Sequence, residues 1–172
     1  MRKSVAALGS ALFFPLGPGT FVGLIPYLVT RWRLHRPLRQ HAPLRALSVV
    51  LLVCGLGVMI QATVRFVVEG LGTPAPVAAP HRLVVGGPYR YVRNPMYLAV
   101  EAIILGQALL LGQPVLLLYG AAFAVAVASF VHWYEEPTLR RQFGEQYETY
   151  RRAVPPWLPR REPWDANEFD RS

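Results

Sequence analysis

Long runs without charged residues constrain what this chain can fold into more than any other feature. Residues 4–30 and 46–64 contain no charged side chain, and two more apolar runs follow a proline-rich linker. A helix needs about 20 predominantly apolar residues to cross a membrane. We therefore predict an all-α, integral-membrane helical bundle with a C-terminal amphipathic interfacial helix at 137–153. The bundle has about four transmembrane helices, predicted at residues 4–30, 46–69, 95–111 and 115–133.

Composition separates the chain from soluble domains and from nucleic-acid-binding proteins. Hydrophobic residues make up 53% of the 172 residues and charged residues 16%, whereas soluble domains are about 25% charged. The net charge is +8, but the arginines occur in short clusters between apolar runs and form no single basic face. Such juxtamembrane clusters attract anionic lipid headgroups. We predict one domain over 1–172 whose partner is the lipid bilayer, with no nucleic acid and no metal, and the oligomeric state stays open.

The first apolar run contains a helix-breaking sequence, Pro15-Leu16-Gly17-Pro18-Gly19. Proline interrupts or kinks a helix, and each half of the run is too short to cross a membrane alone. We expect one broken span, with a re-entrant hairpin as the alternative. The choice decides on which side of the membrane the arginine-rich loop 31–45 lies.

The last two apolar runs form a predicted hairpin. Only Gly112-Gln113-Pro114 separates them, and so short a connection makes two helices antiparallel neighbours. Glu101 lies roughly 9 Å into the first helix of this hairpin, where a carboxylate needs a partner or a polar cavity. Arg65 near the end of the second span is the predicted partner, with a place in the active pocket as the alternative.

After the hairpin, apolar side chains recur at helical spacing at Leu139, Phe143, Tyr147, Tyr150 and Val154. This narrow stripe predicts an amphipathic helix that lies at the membrane interface or closes over the bundle. The tail from Pro155 is predicted to be irregular and tied to the interface by Trp157 and Trp164.

The residues 81–97 read HRLVVGGPYRYVRNPMY and carry three arginines, three tyrosines, a histidine and an asparagine next to an apolar run. The hairpin should bring Glu135 and Glu136 back beside Arg90, Arg93 and Asn94. Opposite charges that meet at a hairpin mouth suit a zwitterionic ligand, but they also suit a plain lipid anchor.

Two ordered blocks resemble a known family. The first contains His81, Leu83, Val84, Gly87, Pro88, Tyr89, Arg90, Arg93, Pro95 and Tyr97, and the second contains Glu135, Glu136, Leu139, Phe143, Gly144, Tyr147, Tyr150, Val154 and Pro155. Together they resemble the isoprenylcysteine carboxyl methyltransferases, and more loosely the phospholipid N-methyltransferases. Asn94 departs from the histidine of the eukaryotic carboxyl methyltransferases, which removes a titrating group but keeps a hydrogen-bonding one.

The resemblance implies an S-adenosylmethionine-dependent methyltransferase with a lipophilic acceptor, whose reacting group is a carboxylate, an amine or a thiol. It implies Arg90 and Arg93 as catalytic residues, with Arg90 or another arginine at the mouth holding an anionic substrate group. It implies a cofactor pocket formed by His81, Leu83, Tyr89, Arg93, Asn94, Pro95, Tyr97, Glu135 and Glu136. The expected location is a bacterial-type inner membrane, with the cofactor site facing the cytoplasm.

Two other functions are compatible with the residues. One is a membrane sterol-type reductase that uses NADPH, although such chains are usually longer. The other is a non-catalytic membrane protein whose arginine-tyrosine cluster anchors it to anionic lipid.

Overall fold

The computed structural model describes residues 17–34, 42–70 and 82–165. Within these ranges every regular element is a helix, as the all-α prediction requires. The principal helices are α1 (Thr20–Thr30), α2 (Ala42–Gly70), α3 (Pro95–Leu111), α4 (Pro114–Phe130), α5 (Glu136–Phe143) and α6 (Glu145–Ala153). His81 and the first part of the predicted first span, residues 4–16, lie outside the described residues.

Helices α2 and α3 pack closely because glycine faces the partner helix at two places. A Cβ added at Gly55 would lie 2.9 Å from Ile103 Cγ1, and one at Gly106 would lie 2.9 Å from Leu52 Cγ. Small residues let helix backbones approach in this way in membranes. Gly55 therefore lets α3 approach α2 closely. Gly57, two residues later, has no neighbour within 4 Å at its Cβ position and has no such role.

Helices α3 and α4 form the predicted hairpin. Gly112 ends α3 with φ of 64°, a left-handed conformation that glycine adopts at little cost, and Pro114 opens α4. Ile103 and Ile104 of α3, Phe123 of α4 and Met59 of α2 form the buried core of the bundle. The hairpin places the start of α3 and the end of α4 at the same end of the bundle.

Helix α1 packs on the hairpin through side chains that bond its backbone. It begins with one wide, π-helical turn, Thr20–Leu24. Pro26 has no N–H for the carbonyl of Val22, and Gln107 Nε2 donates to that carbonyl instead at 2.6 Å. Tyr119 donates to the neighbouring carbonyl of Phe21 at 3.0 Å. The hairpin thus satisfies backbone groups that the irregular turn leaves unpaired.

Two stretches are long and apolar enough to cross a membrane. They are Ala42–Arg65 and Pro114–Phe143, while the apolar helices Thr20–Thr30 and Pro95–Leu111 are shorter. The second stretch begins with α4 and continues through a π-helical turn, Val131–Glu135, into α5. Two of the four predicted spans thus have the length of a full crossing, and the four-span arrangement stays a prediction.

The prediction of one continuous interfacial helix over 137–153 is wrong. Gly144 has φ of 53° and ψ of −123°, which ends α5 and starts α6 in a new direction. Tyr147, Tyr150, Val154 and Trp164 form a second buried cluster, against which Leu83, Leu139 and Phe143 pack. The apolar stripe therefore packs on the bundle. Trp164, predicted to lie in the interface, is 2% exposed within this cluster.

Candidate active site

The stretch before α3, residues 82–94, is called the motif segment below. A turn at Gly86–Gly87, with φ of 56° at Gly87, leads into one 3-10 helical turn, Gly87–Arg90. Tyr89 is buried at this turn, and its carbonyl accepts a hydrogen bond of 2.7 Å from the hydroxyl of Tyr150. Glycine and proline thus give the segment a compact turn that α6 holds in place.

The C-terminal tail pairs with the motif segment through backbone groups. Arg93 donates its backbone N–H to the carbonyl of Pro155 at 2.9 Å, and Asn94 Nδ2 donates to the carbonyl of Pro156 at 3.1 Å. Farther along, Arg90 and Trp164 exchange two hydrogen bonds, from Arg90 Nε at 2.6 Å and from the Trp164 backbone N–H at 3.0 Å. The tail is therefore held against the motif segment by bonds at Arg90, Arg93 and Asn94.

An acid-arginine cluster forms where the motif segment meets the end of α4. Arg93 Nη1 lies 2.7 Å from Glu136 Oε1 and donates to the hydroxyl of Tyr147 at 2.9 Å. Tyr97 donates to Glu135 Oε2 at 3.0 Å. The π-helical turn Val131–Glu135 immediately precedes Glu136, and such turns occur frequently at functional sites. Of the predicted meeting, the contact of Glu136 with Arg93 is present, whereas Glu135 bonds Tyr97. Arg90 and Asn94 bond the C-terminal tail instead.

Burial makes this cluster electrostatically strong. The side chains of Arg93 and Glu136 are 9% and 15% exposed, and a buried ion pair interacts more strongly than one in water. Arg93 Nε is buried and makes no hydrogen bond within the described part of the chain. The buried Nε–H of Arg93 is therefore a donor available to a ligand.

The tyrosines around the cluster stay neutral at physiological pH. Burial, followed by the charges of Glu135 and Glu69, raises the pKa of Tyr89 above its ordinary value. Burial likewise raises the pKa of Tyr147, although Arg93 opposes the shift. Both phenols therefore keep their protons and act as neutral hydrogen-bonding groups.

The predicted site residues fall into three groups. Arg93, Tyr97, Glu135 and Glu136 form the cluster, and Tyr89 lies near enough to feel the charge of Glu135. Leu83 and Asn94 contact the C-terminal helices and tail. Arg90 and Pro95 line a separate groove.

The predicted pairing of Arg65 with Glu101 is wrong. Arg65 Nη1 pairs with Glu69 Oε1 at 3.0 Å, one turn along the same helix. Glu101 faces α4, where its Oε1 would lie 2.7 Å from a Cβ added at Gly120, and its Oε2 has no hydrogen-bond partner among the described residues. The depth of Glu101 along α3 did not identify its neighbours, because Glu101 lies on the face of α3 that contacts α4.

Glu69 is a residue that sequence reasoning did not assign to the site. Its Oε2 accepts a hydrogen bond of 2.9 Å from the backbone N–H of Gly86, at the turn of the motif segment. Arg65 and Glu69 are four residues apart, a spacing that by itself suits only a pair on one helix face. No signal in the sequence indicated that the second carboxylate oxygen would bind a segment 17 residues away.

A groove of about 580 Å³, called the α2–α3 groove below, opens between α2 and α3 beneath the motif segment. Cys54, Val58 and Ala102 are among the residues of its apolar part. Gln61, Arg65, Arg90 and Tyr91 are among its polar side chains, and none of the described residues that line it is acidic.

Together these features define a helical membrane protein with a buried charged cluster at one end of a helix hairpin. A family model described as phospholipid methyltransferase (PEMT) matches residues 44–146, more than half of the chain. The chain belongs to the phospholipid methyltransferase family. No curated protein and no solved structure matches it. The matched range contains most of α2, the motif segment, the hairpin and α5, and it ends before the tail.

Proposed function

We propose that this protein is an S-adenosylmethionine-dependent methyltransferase that acts on a lipophilic acceptor at the membrane. The observation that carries the proposal is the acid-arginine cluster, in which Arg93 meets Glu136 at 2.7 Å and its buried Nε has no hydrogen-bond partner among the described residues. Family membership supports methyl transfer over the sterol-type reductase and the lipid anchor.

The residues of the cluster suit the amino-acid end of this cofactor. The unpartnered Nε of Arg93 is a donor for a carboxylate, and the acidic pair supplies acceptors for an ammonium group. Tyr89 and Tyr97 supply aromatic rings beside these charges. His81, Leu83, Asn94 and Pro95 complete the proposed pocket by their place in the family pattern.

When bound, the cofactor supplies an electrophilic methyl group, whose bond to sulfur breaks with the electron pair left on sulfur while an acceptor lone pair forms the new bond. The protein needs to contribute positioning and electrostatic stabilisation for such a displacement. Arg93 and the acidic pair hold charges in fixed positions in a largely buried site. The buried tyrosines stay protonated and cannot act as bases at neutral pH.

The acceptor is proposed to reach the site from the bilayer and the cofactor from the cytoplasm. Two helices long and apolar enough to span a membrane, together with the family, support a lipophilic acceptor. The proposed location is a bacterial-type inner membrane. The cluster is proposed to lie on its cytoplasmic side, because the cofactor is cytosolic.

Calorimetric titration of the detergent-solubilised protein tests the proposal. We expect S-adenosylmethionine and S-adenosylhomocysteine to bind and NADPH not to bind. Glu136→Gln should weaken binding of S-adenosylhomocysteine by about tenfold or more, since a charge-assisted contact contributes about 1.5–3 kcal/mol. Glu148→Gln is the matched control, because Glu148 pairs with Arg140 and Arg151 at the surface. Binding of NADPH, or of none of the three, would overturn the proposal.

A further inference from the structure

The motif segment lies against one face of α2, which includes Ala62, Arg65 and Glu69. These residues are three and four positions apart, a spacing that places them on the same side of a helix. Ala62 is fully buried in a cluster with Tyr89 of the motif segment. The two charged side chains continue this contact toward the turn at Gly86–Gly87.

The carboxylate of Glu69 joins α2 to this turn. Arg65 Nη1 donates to Glu69 Oε1 at 3.0 Å, and the backbone N–H of Gly86 donates to Glu69 Oε2 at 2.9 Å. Arg65, which also lines the α2–α3 groove, therefore holds one carboxylate oxygen while the other bonds the turn. A hydrogen bond to an ionised carboxylate is roughly twice as strong as one between neutral groups.

Glycine at position 86 makes room for this carboxylate. Gly86 has φ of −85° and ψ of 167°, extended values that any residue adopts, so the backbone conformation does not require glycine. A Cβ added there would lie 2.6 Å from Glu69 Cδ, far closer than two carbon atoms pack. Because the carboxylate ends a flexible side chain, we expect an added methyl group to displace it and to leave the turn intact.

The turn connects the Glu69 bond to the proposed cofactor site. The backbone N–H of Tyr89 donates to the carbonyl of Gly86 at 3.2 Å. Tyr89 is buried and lies near enough to Glu135 to feel its charge. Tyr150 of α6 donates to the carbonyl of Tyr89. The position of Tyr89 thus depends on α2 through Glu69 and on α6 through Tyr150.

We propose that Glu69 is a positioning residue for the active site, whose bond to Gly86 fixes the turn that places Tyr89 beside the acid-arginine cluster. The inference rests on the proposed function, and it makes cofactor binding depend on α2 as well as on the hairpin and the C-terminal helices. Glu69 acts through the motif segment and does not itself touch the cofactor.

Two measurements on the full chain in detergent test the inference. They are amide hydrogen exchange in a peptide that covers residues 82–90, and calorimetric affinity for S-adenosylhomocysteine. Glu69→Ala should speed exchange at Gly86 and weaken binding, each by about tenfold, because a charge-assisted hydrogen bond is lost. Glu69→Gln should change both by only about threefold, since its amide oxygen still accepts the N–H in a neutral bond about half as strong.

Glu148→Ala is the matched control, because Glu148 pairs with Arg140 and Arg151 at the surface and should leave both measurements unchanged. The rescue by glutamine separates positioning through one hydrogen bond from a need for the charge. If Glu69→Gln lost as much affinity as Glu69→Ala, the inference would be overturned.

Gly86→Ala tests the same contact from its other side. It should weaken binding as much as Glu69→Ala does, and the double variant should be no weaker than either single variant, because each change removes the same bond. Additive losses, or a Gly86→Ala protein that binds as the wild type does, would overturn the inference. Gly86→Ala and Glu69→Gln also decide the question if Glu69→Ala does not fold.

The same measurements separate this inference from the proposed function. If the wild-type protein binds S-adenosylhomocysteine and Glu69→Ala binds it equally well, only the positioning inference fails. If the wild-type protein does not bind it, the proposed function fails, and the exchange measurement alone decides whether Glu69 holds the turn.

Discussion

At the scale of single residues, Arg93 connects the parts of the proposed site. Its guanidinium contacts Glu136 at the start of α5 and Tyr147 from α6, and its backbone N–H bonds the tail at Pro155. Both members of the ion pair are largely buried. Removing one charge of such a pair leaves the other without compensation, which costs far more than losing a surface pair.

Arg93→Ala is therefore expected to lower the free energy of unfolding by about 3 kcal/mol or more. Denaturant titration in detergent micelles measures the change. Arg151→Ala is the matched control, because the Arg151–Glu148 pair lies at the surface, where an ion pair contributes little to stability. Equal effects of the two substitutions would contradict the assignment of the Arg93 pair as buried and strong.

At the scale of elements, close contact between α2 and α3 depends on glycine where the helices touch. The Cβ position of Gly55 lies 3.0 Å from the backbone oxygen of Ala99, an atom that a rotamer change cannot move. Gly57, two residues later on the same helix, has open space at its Cβ position.

Gly55→Ala should destabilise the protein by about 1–3 kcal/mol, because the added methyl group forces the helices apart. Gly57→Ala should instead be neutral or stabilising by up to about 1 kcal/mol, since alanine favours helix and meets no neighbour. Thermal unfolding of the two variants in the same detergent compares them. A Gly55→Ala protein as stable as Gly57→Ala would show that this crossing is not tight.

The irregular start of α1 also depends on a side chain from another element. Gln107→Leu should cost about 1–3 kcal/mol, because it leaves the Val22 carbonyl without a donor where Pro26 already supplies none. Gln113→Leu is the control, since Gln113 makes a comparable bond to the carbonyl of Arg33 at an exposed position. The unfolding midpoints of both variants are compared with that of the wild type. A larger loss of stability for Gln113→Leu than for Gln107→Leu would refute the explanation.

At the scale of the whole molecule, the C-terminal tail completes the site even though it lies beyond the residues that the family model matches. Trp164 is buried against Tyr150, which in turn bonds the carbonyl of Tyr89 in the motif segment. The tail and α6 thus cover one side of the segment that carries Arg93. The geometry of the site should depend on residues more than 60 positions away in the sequence.

Trp164→Ala should destabilise the protein by about 3–5 kcal/mol and weaken binding of S-adenosylhomocysteine, because it empties the cluster that supports the motif segment. Trp133→Ala is the matched control, since Trp133 is 78% exposed. Unfolding and calorimetry on the same two proteins test both effects. If Trp164→Ala lost stability but bound the ligand as wild type does, the tail would have no part in the site.

What the sequence by itself determined was the local and adjacent structure. Uncharged runs predicted helices, Gly112-Gln113-Pro114 predicted the hairpin, and the hairpin predicted that Glu136 would meet Arg93. These features follow from composition and short connections, which restrict where helices form and which helices are neighbours before any packing is known. Only the tertiary structure decided which faces meet: that Glu101 faces α4, that Glu69 binds Gly86 and that Trp164 is buried. In a chain that is apolar on nearly every helix face, hydrophobic pattern carries no information about helix rotation, so the packing of individual side chains decides it.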